Sequence, residues 1–151
     1  MTSKKNFTET EIFRTSSLLL RESQVKVRNM QTDVRDVFGK PFLDHIRKCI
    51  EYAKISYIEL RENKLLKYLF ICKSKYEIEM AETDLNAMVS SYLIPGKQKQ
   101  NESTEIYLNG GSEISKQIGC LKIQIDSFKN SLENDLGKED IEKVKEKLLN
   151  I

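Results

Sequence analysis

Apolar residues recur along this chain in steps of three and four, a rhythm that predicts long amphipathic helices and not strands. Near the N-terminus Phe13, Leu20, Val27 and Val34 repeat every seven residues, Met30 and Val37 supply intervening positions, and Ser16 and Ser23 hold the same register earlier. This pattern predicts a first helix that starts near Thr8 or Thr10 and runs to Phe38, with Gly39 and Pro41 as its stop. Leu43, Ile46, Ile50, Ala53, Tyr57 and Leu60 form the seam of a second helix, followed by a short polar link over 61–64. The third stripe is Leu65, Leu69, Cys72, Tyr76 and Met80, continued with a phase slip by Leu85 and Met88, and it ends before Pro95 and Gly96. Ile114, Ile118, Leu121, Ile125, Phe128 and Leu132 repeat the pattern in a fourth helix, which Gly137 breaks. Ile141, Val144 and Leu148 then mark a short amphipathic helix over 138–151.

The polar stretch 96–111 reads as a loop, within which Ser103 to Leu108 could form a helical turn or extend the next helix, and residues 1–7 read as a flexible N-terminus. A short connection makes the second and third helices antiparallel neighbours. The expected fold is therefore all-α: an antiparallel up-down four-helix bundle with a short C-terminal helical extension, forming a single domain over 1–151.

Composition agrees with this picture. Charged residues make up 32% of the 151 and hydrophobic ones 39%, a balance suited to amphipathic helices. No apolar run approaches the roughly 20 residues of a membrane span, and the first six residues are too polar for a signal peptide. The expectation is a soluble, cytoplasmic protein with no membrane partner. Cys49, Cys72 and Cys120 are odd in number, widely separated and without metal-site spacing; placed on three apolar stripes, they are expected to be buried, unreactive thiols.

Little in the sequence points to catalysis. His45 is the sole histidine, which rules out a two-histidine metal site within one chain. Gly110-Gly111 lacks the lysine and preceding strand of a phosphate loop, and no nucleophile motif occurs. The chain is expected to be no enzyme and to need no cofactor or metal. Tyr52, Tyr57, Tyr68 and Tyr76 lie on or beside the core stripes, so they read as core residues more readily than as a platform for bases.

One pattern rises above this background. Arg14, Arg21, Arg28 and Arg35 recur every seven residues in a chain that otherwise prefers lysine, and on one straight helix they would stand about 10 Å apart along an edge. Only Arg14 has an acid three or four residues away, Glu11. The stripe therefore looks outward for phosphates, or for carboxylates on a neighbouring helix or subunit. Residues 1–40 carry eight Lys/Arg against five Asp/Glu, whereas the remainder is close to balanced. The basic excess lies in the arginine-bearing segment, a modest signal for nucleic acid.

From Phe38 onward the chain resembles the small four-helix-bundle family of 23S rRNA intervening-sequence proteins, which includes accessory proteins of diversity-generating retroelements. The resemblance rests on Phe42 with His45-Ile46-Arg47-Lys48-Cys49 and Glu59, and on Tyr68-Leu69-Phe70-Ile71-Cys72 followed by Glu77 and Glu79. Tyr92-Leu93 and the segment Ser112-Glu113-Ile114-Ser115-Lys116-Gln117-Ile118-Gly119-Cys120-Leu121-Lys122 complete it. The match covers about half the chain. It departs from the family at Phe38-Gly39-Lys40-Pro41, at Ser74-Lys75 and in the tail after Lys129.

The resemblance implies a homo-oligomer, a pentameric ring, with a non-enzymatic accessory role. Such a protein would bind RNA or DNA by phosphate contacts and, in the retroelement branch, a reverse transcriptase. Arg47, Lys48, Lys116 and Lys122 coincide with basic positions of the family pattern. Together with Arg14, Arg21, Arg28 and Arg35 they are the candidate nucleic-acid-binding residues. The alternative is a protein-interaction scaffold without nucleic-acid affinity, its arginines paired with acids such as Glu77, Glu79 or Glu82 of a neighbouring subunit.

Overall fold

A computed structural model of the chain describes residues 9–30, 32–59, 63–92 and 102–149. These residues are almost entirely helical, and no strand occurs among them. The helices are α1 (Glu9–Arg28), α2 (Thr32–Val34), α3 (Lys40–Lys54), α4 (Lys64–Tyr92), α5 (Glu102–Asp135) and α6 (Lys138–Leu149). Two π-helical turns, Arg35–Gly39 and Ile55–Glu59, flank α3. No described helix is long and apolar enough to cross a membrane. The expected flexible N-terminus, apart from any helical start near Thr10, and the polar run 97–101 lie outside the described residues.

α3 packs on α4, α4 on α5, and α1 on both α5 and α3, while α6 packs on α4. Cross-helix contacts fix the registers. Cys49 meets Ser74 and Ser56 meets Lys67; Lys75 meets Asp126 and Lys122 meets Glu82. Thr15 meets Gln124 and Glu22 meets Gln117. In each pair of helices one number rises as the other falls.

α1 is shorter than its heptads predict. It ends at Arg28, not Phe38, and the chain turns at Asn29 and Met30, where the Asn29 N–H is shared by the carbonyls of Val25 and Lys26. Gly39 and Pro41 do not stop a helix either, for the chain runs helically from Thr32 through α3. The π turn explains this: the Lys40 N–H reaches the Arg35 carbonyl, five residues back, and Pro41 sits in the first turn of α3. The widened turn just ahead of the ring relieves the clash that proline makes with the preceding turn of an unbroken α-helix.

α1 buries part of the expected edge, Ser16, Ser23, Val27 and Met30, but takes Ile12 and Leu19 in place of Phe13 and Leu20. Ile12, Ser16, Leu19, Ser23, Val27 and Met30 are buried, whereas Phe13, Leu20 and Val34 are only half-buried and Val37 is 62% exposed. Contact with α5 as well as α3 moves the seam back by one position in its first half, at Ile12 and Leu19, and leaves it in register at Val27 and Met30. The hydroxyls of Ser16 and Ser23 have no hydrogen-bond partner, so small size, which lets α1 approach its neighbours, is their contribution.

In α4, Tyr68, Leu69, Ile71, Ile78, Ala81, Leu85 and Met88 are buried, but Tyr76, assigned to the stripe from sequence, is 58% exposed. α4 is apolar on two stripes, and its placement between α3 and α5 selects the one through Ile71 and Ile78. The α5 seam agrees with expectation, Phe128 being half-buried and its companions buried. α5 begins at Glu102, so 103–108 extends the helix, one of the two alternatives to a loop there, and 102–111 as a whole is taken from the expected loop. Once the seam from Ile114 onward anchors the helix, each added residue gains a backbone hydrogen bond, which offsets the roughly 1 kcal/mol cost of each glycine at 110 and 111. α4 is capped by Asn63, whose side chain accepts the Leu66 N–H at 3.1 Å, and Gly137 separates α5 from α6 as expected.

The corner between α1 and α3 depends on Gly39. A Cβ there would lie 2.9 Å from Val27 Cγ1 and 3.4 Å from Met30 Sδ. Gly39→Ala is expected to destabilise the protein by about 1 kcal/mol, because a clash of about 1–3 kcal/mol outweighs a helix-propensity gain of about 1 kcal/mol. Urea unfolding followed by circular dichroism measures it, and an unchanged or higher midpoint would contradict the close approach.

Candidate nucleic-acid interface

The turn at Asn29 and Met30 folds α1 back against the first π turn and α3, and an open groove of about 590 Å³ forms at this corner. Gln24, Val27 and Arg28 of α1 line one side; Arg35 of the π turn and Lys40, Leu43, Asp44 and Arg47 complete it. Four cations thus share the groove with a single carboxylate. Val27 and Leu43, both buried, give it an apolar floor.

The cations are lightly held. Lys40 reaches Asp36 at 3.4 Å and Arg47 reaches Asp44 at 3.6 Å, both pairs being exposed and within one helical run. Such pairs contribute about 0–1 kcal/mol and yield readily to a better anion. Arg35 makes a long 3.5 Å contact from Nη2 to the Thr32 hydroxyl. No ion pair to Arg28 occurs among the described residues. Guanidinium forks converging from two helices and a π turn can grip an extended polyanion without reading its bases.

The eight sequence candidates therefore separate. Arg28, Arg35 and Arg47 meet at the groove. Arg14 and Arg21 stand exposed on the outer face of α1, two heptads and one heptad before Arg28 and so away from the groove, and the turn takes Arg35 alone off their stripe. Lys48 is exposed on α3. Lys116 and Lys122 are engaged on the α5 side, with Glu113 at 3.8 Å and Glu82 at 3.0 Å. Lys40 is the groove residue that sequence reasoning missed. Its signal was its place between Gly39 and Pro41, a stretch read as a stop.

A second polar cluster joins α3 to α4. His45 Nδ1 lies 2.6 Å from Glu77 Oε1, and Nε2 lies 3.6 Å from Asp84 Oδ2. Burial raises the Asp84 carboxyl above the usual carboxylate range, opposed by the charge of His45. Ser74 donates to the Cys49 carbonyl at 2.7 Å nearby. Glu77 and Asp84, seven residues apart, were the legible sign of a basic partner across the interface. On the α5 side of α4, Tyr68 donates to Glu133, which Lys129 also contacts at 3.0 Å; these bonds hold the Glu133 carboxyl below its ordinary value. No group of three or more residues suited to holding a metal ion occurs among the described residues.

The thiols do not share one environment. Cys49 is buried, and desolvation pushes its pKa up to about 12; Cys72 is half-buried and also raised by burial; Cys120 is exposed, against expectation, on the outer side of α5. A thiol reagent at neutral pH is expected to modify Cys120 first, Cys72 slowly and Cys49 only on unfolding. Mass spectrometry of partially labelled protein reads the order, and early labelling of Cys49 would contradict the packing of α3 on α4. Comparison with protein families, with characterised proteins and with solved structures finds no match to this chain.

Proposed function

We propose that this chain is a non-enzymatic nucleic-acid-binding accessory protein that acts as a homo-oligomer, its α1–α3 groove receiving the phosphate backbone of RNA or DNA. The observation that carries this reading is the convergence of Arg28, Arg35, Lys40 and Arg47 on one open groove with a single acid among them. The opposed registers of α1, α3, α4 and α5 support an antiparallel up-down four-helix bundle with α6 as its C-terminal extension. A pentameric ring and a reverse transcriptase as partner belong to the same reading through the family resemblance. Repetition of the groove around a ring would multiply a weak contact into useful avidity.

The scaffold alternative draws on a different observation, the exposed arginines of α1. Within the chain, two of the acids it would use are already engaged, Glu77 with His45 and Glu82 with Lys122. Glu79 remains exposed.

Fluorescence anisotropy with a single-stranded RNA across a salt series tests the groove. Arg35→Glu/Lys40→Glu is expected to weaken binding at least about tenfold and to flatten the salt dependence by about 1–2 released counterions. Both substitutions are on the surface, so helicity serves as the folding control. Equal affinity of variant and wild type would remove the groove from the function. Light scattering coupled to size exclusion is expected to give a mass several times 17.6 kDa, and a monomer at micromolar concentration would overturn the oligomer.

A further inference from the structure

The solvent side of α1 carries a second seam. Arg14, Leu18, Arg21, Val25 and Arg28 follow one another in steps of four and three, and all five are exposed. Leu18 is 37% and Val25 46% accessible, so both present apolar surface between the guanidiniums. The opposite edge, through Ile12, Leu19 and Val27, is the one buried against α3 and α5. No ion pair to these three arginines occurs among the described residues. A face that needed only to be wet would be served by lysine and glutamate. Here aliphatic and arginine positions share the spacing by which helices pair, with apolar residues in the seam and charges beside it.

We propose that this face docks an acidic amphipathic helix of another protein, burying Leu18 and Val25 and pairing the arginines with carboxylates repeated every seven residues. From Arg14 to Arg28 is about 21 Å along the axis, so the occupant spans about two heptads. Charge complementarity selects it. Apposing α1 of a second copy would place arginine against arginine. A phosphate backbone would leave Leu18 and Val25 without apolar contact. The exposed acids of α6, Glu139, Glu142 and Glu146, have no exposed apolar seam between them, since Val144 faces inward and Ile141 is half-buried. Only Arg28 is shared with the groove, so the face and the groove stand or fall separately.

The probe is a synthetic helical peptide with a leucine seam flanked by glutamates, whose mutual repulsion keeps it from pairing with itself at neutral pH. A counterpart with lysine in place of each glutamate is the control. Calorimetry on the full chain is expected to show binding of the acidic peptide and none of the basic one. Arg14→Glu/Arg21→Glu and, separately, Leu18→Asp/Val25→Asp should each weaken it at least tenfold with helicity unchanged. Single-stranded RNA should bind both variants as it binds the wild type. Equal binding of the two peptides, or wild-type affinity in both variants, would overturn the proposal. Loss of RNA affinity in the arginine variant would make the face a phosphate track, and dissociation of the oligomer in the aliphatic variant would make it a self-interface. Either result would also overturn it.

Discussion

The close approach of α1 to the π turn at Gly39 brings together the basic residues of the groove, Arg28, Arg35, Lys40 and Arg47. With no Cβ in the way, Val27 and Met30 close against the backbone at residue 39, and α1 must reverse within three residues. The reversal takes Arg35 off the α1 edge and sets it opposite Arg28. It also brings Lys40 and Arg47 to the same corner, across a floor made by Val27 and Leu43. A straight helix through residue 38 would instead have carried four arginines in a row and left no groove. The π turn makes this geometry compatible with Pro41 by widening the backbone just ahead of the ring.

The same packing sets what the interior can tolerate. A continuous core runs from Ile12 and Leu19 through Phe42, Ile46, Ile71, Ile78 and Ile118 to Ile125, all fully buried. Each such side chain contributes about 1.5–3 kcal/mol of transfer free energy, most of which is offset by the entropy of ordering the chain. Polar contacts then discriminate among registers. Exchange of the His45 position by one residue would separate it from Glu77 and leave a buried carboxylate unpaired, a more expensive error than losing one apolar contact. Tyr68 with Glu133, and Tyr57 stacked on Phe128 at 3.9 Å, fasten the opposite end in the same way.

Exposed charge divides into two kinds. Lys75, Lys122 and Lys129 bridge helices or stabilise one, and their partners lie 2.7–3.0 Å away. The arginines of α1 have no such engagement among the described residues, and those at the corner have only weak local ones. A nearly neutral chain can therefore present a locally basic surface, because Glu77, Glu82, Asp126 and Glu133 are engaged by partners on the α4 and α5 sides, away from α1. This asymmetry, and not the net charge of +2, is what a polyanion or an acidic helix would meet.

Periodicity alone determined the helical class, the α5 seam through Ile114 and Leu132, the break at Gly137 and the amphipathic segment after it. These are local properties: a three-four rhythm and a helix-breaking residue act within one turn of themselves. The arginine spacing was equally plain, and three of the four do share a face. Tertiary structure decided the rest. The α1 seam took Ile12 and Leu19 in place of Phe13 and Leu20 because α5 and α3 both press on it, and Tyr76 was turned outward because α4 has two apolar stripes and only one fits between its neighbours. Heptad counting continues through residue 34, so nothing in it marked the turn at Asn29; the burial of Met30 and the contact of Val27 with Gly39 favour the reversal only once the helices are together. Lys40 became part of a groove for the same reason. Which charges meet is a question of how helices cross, and that is settled by side-chain volumes across an interface, not by spacing along one strand of sequence.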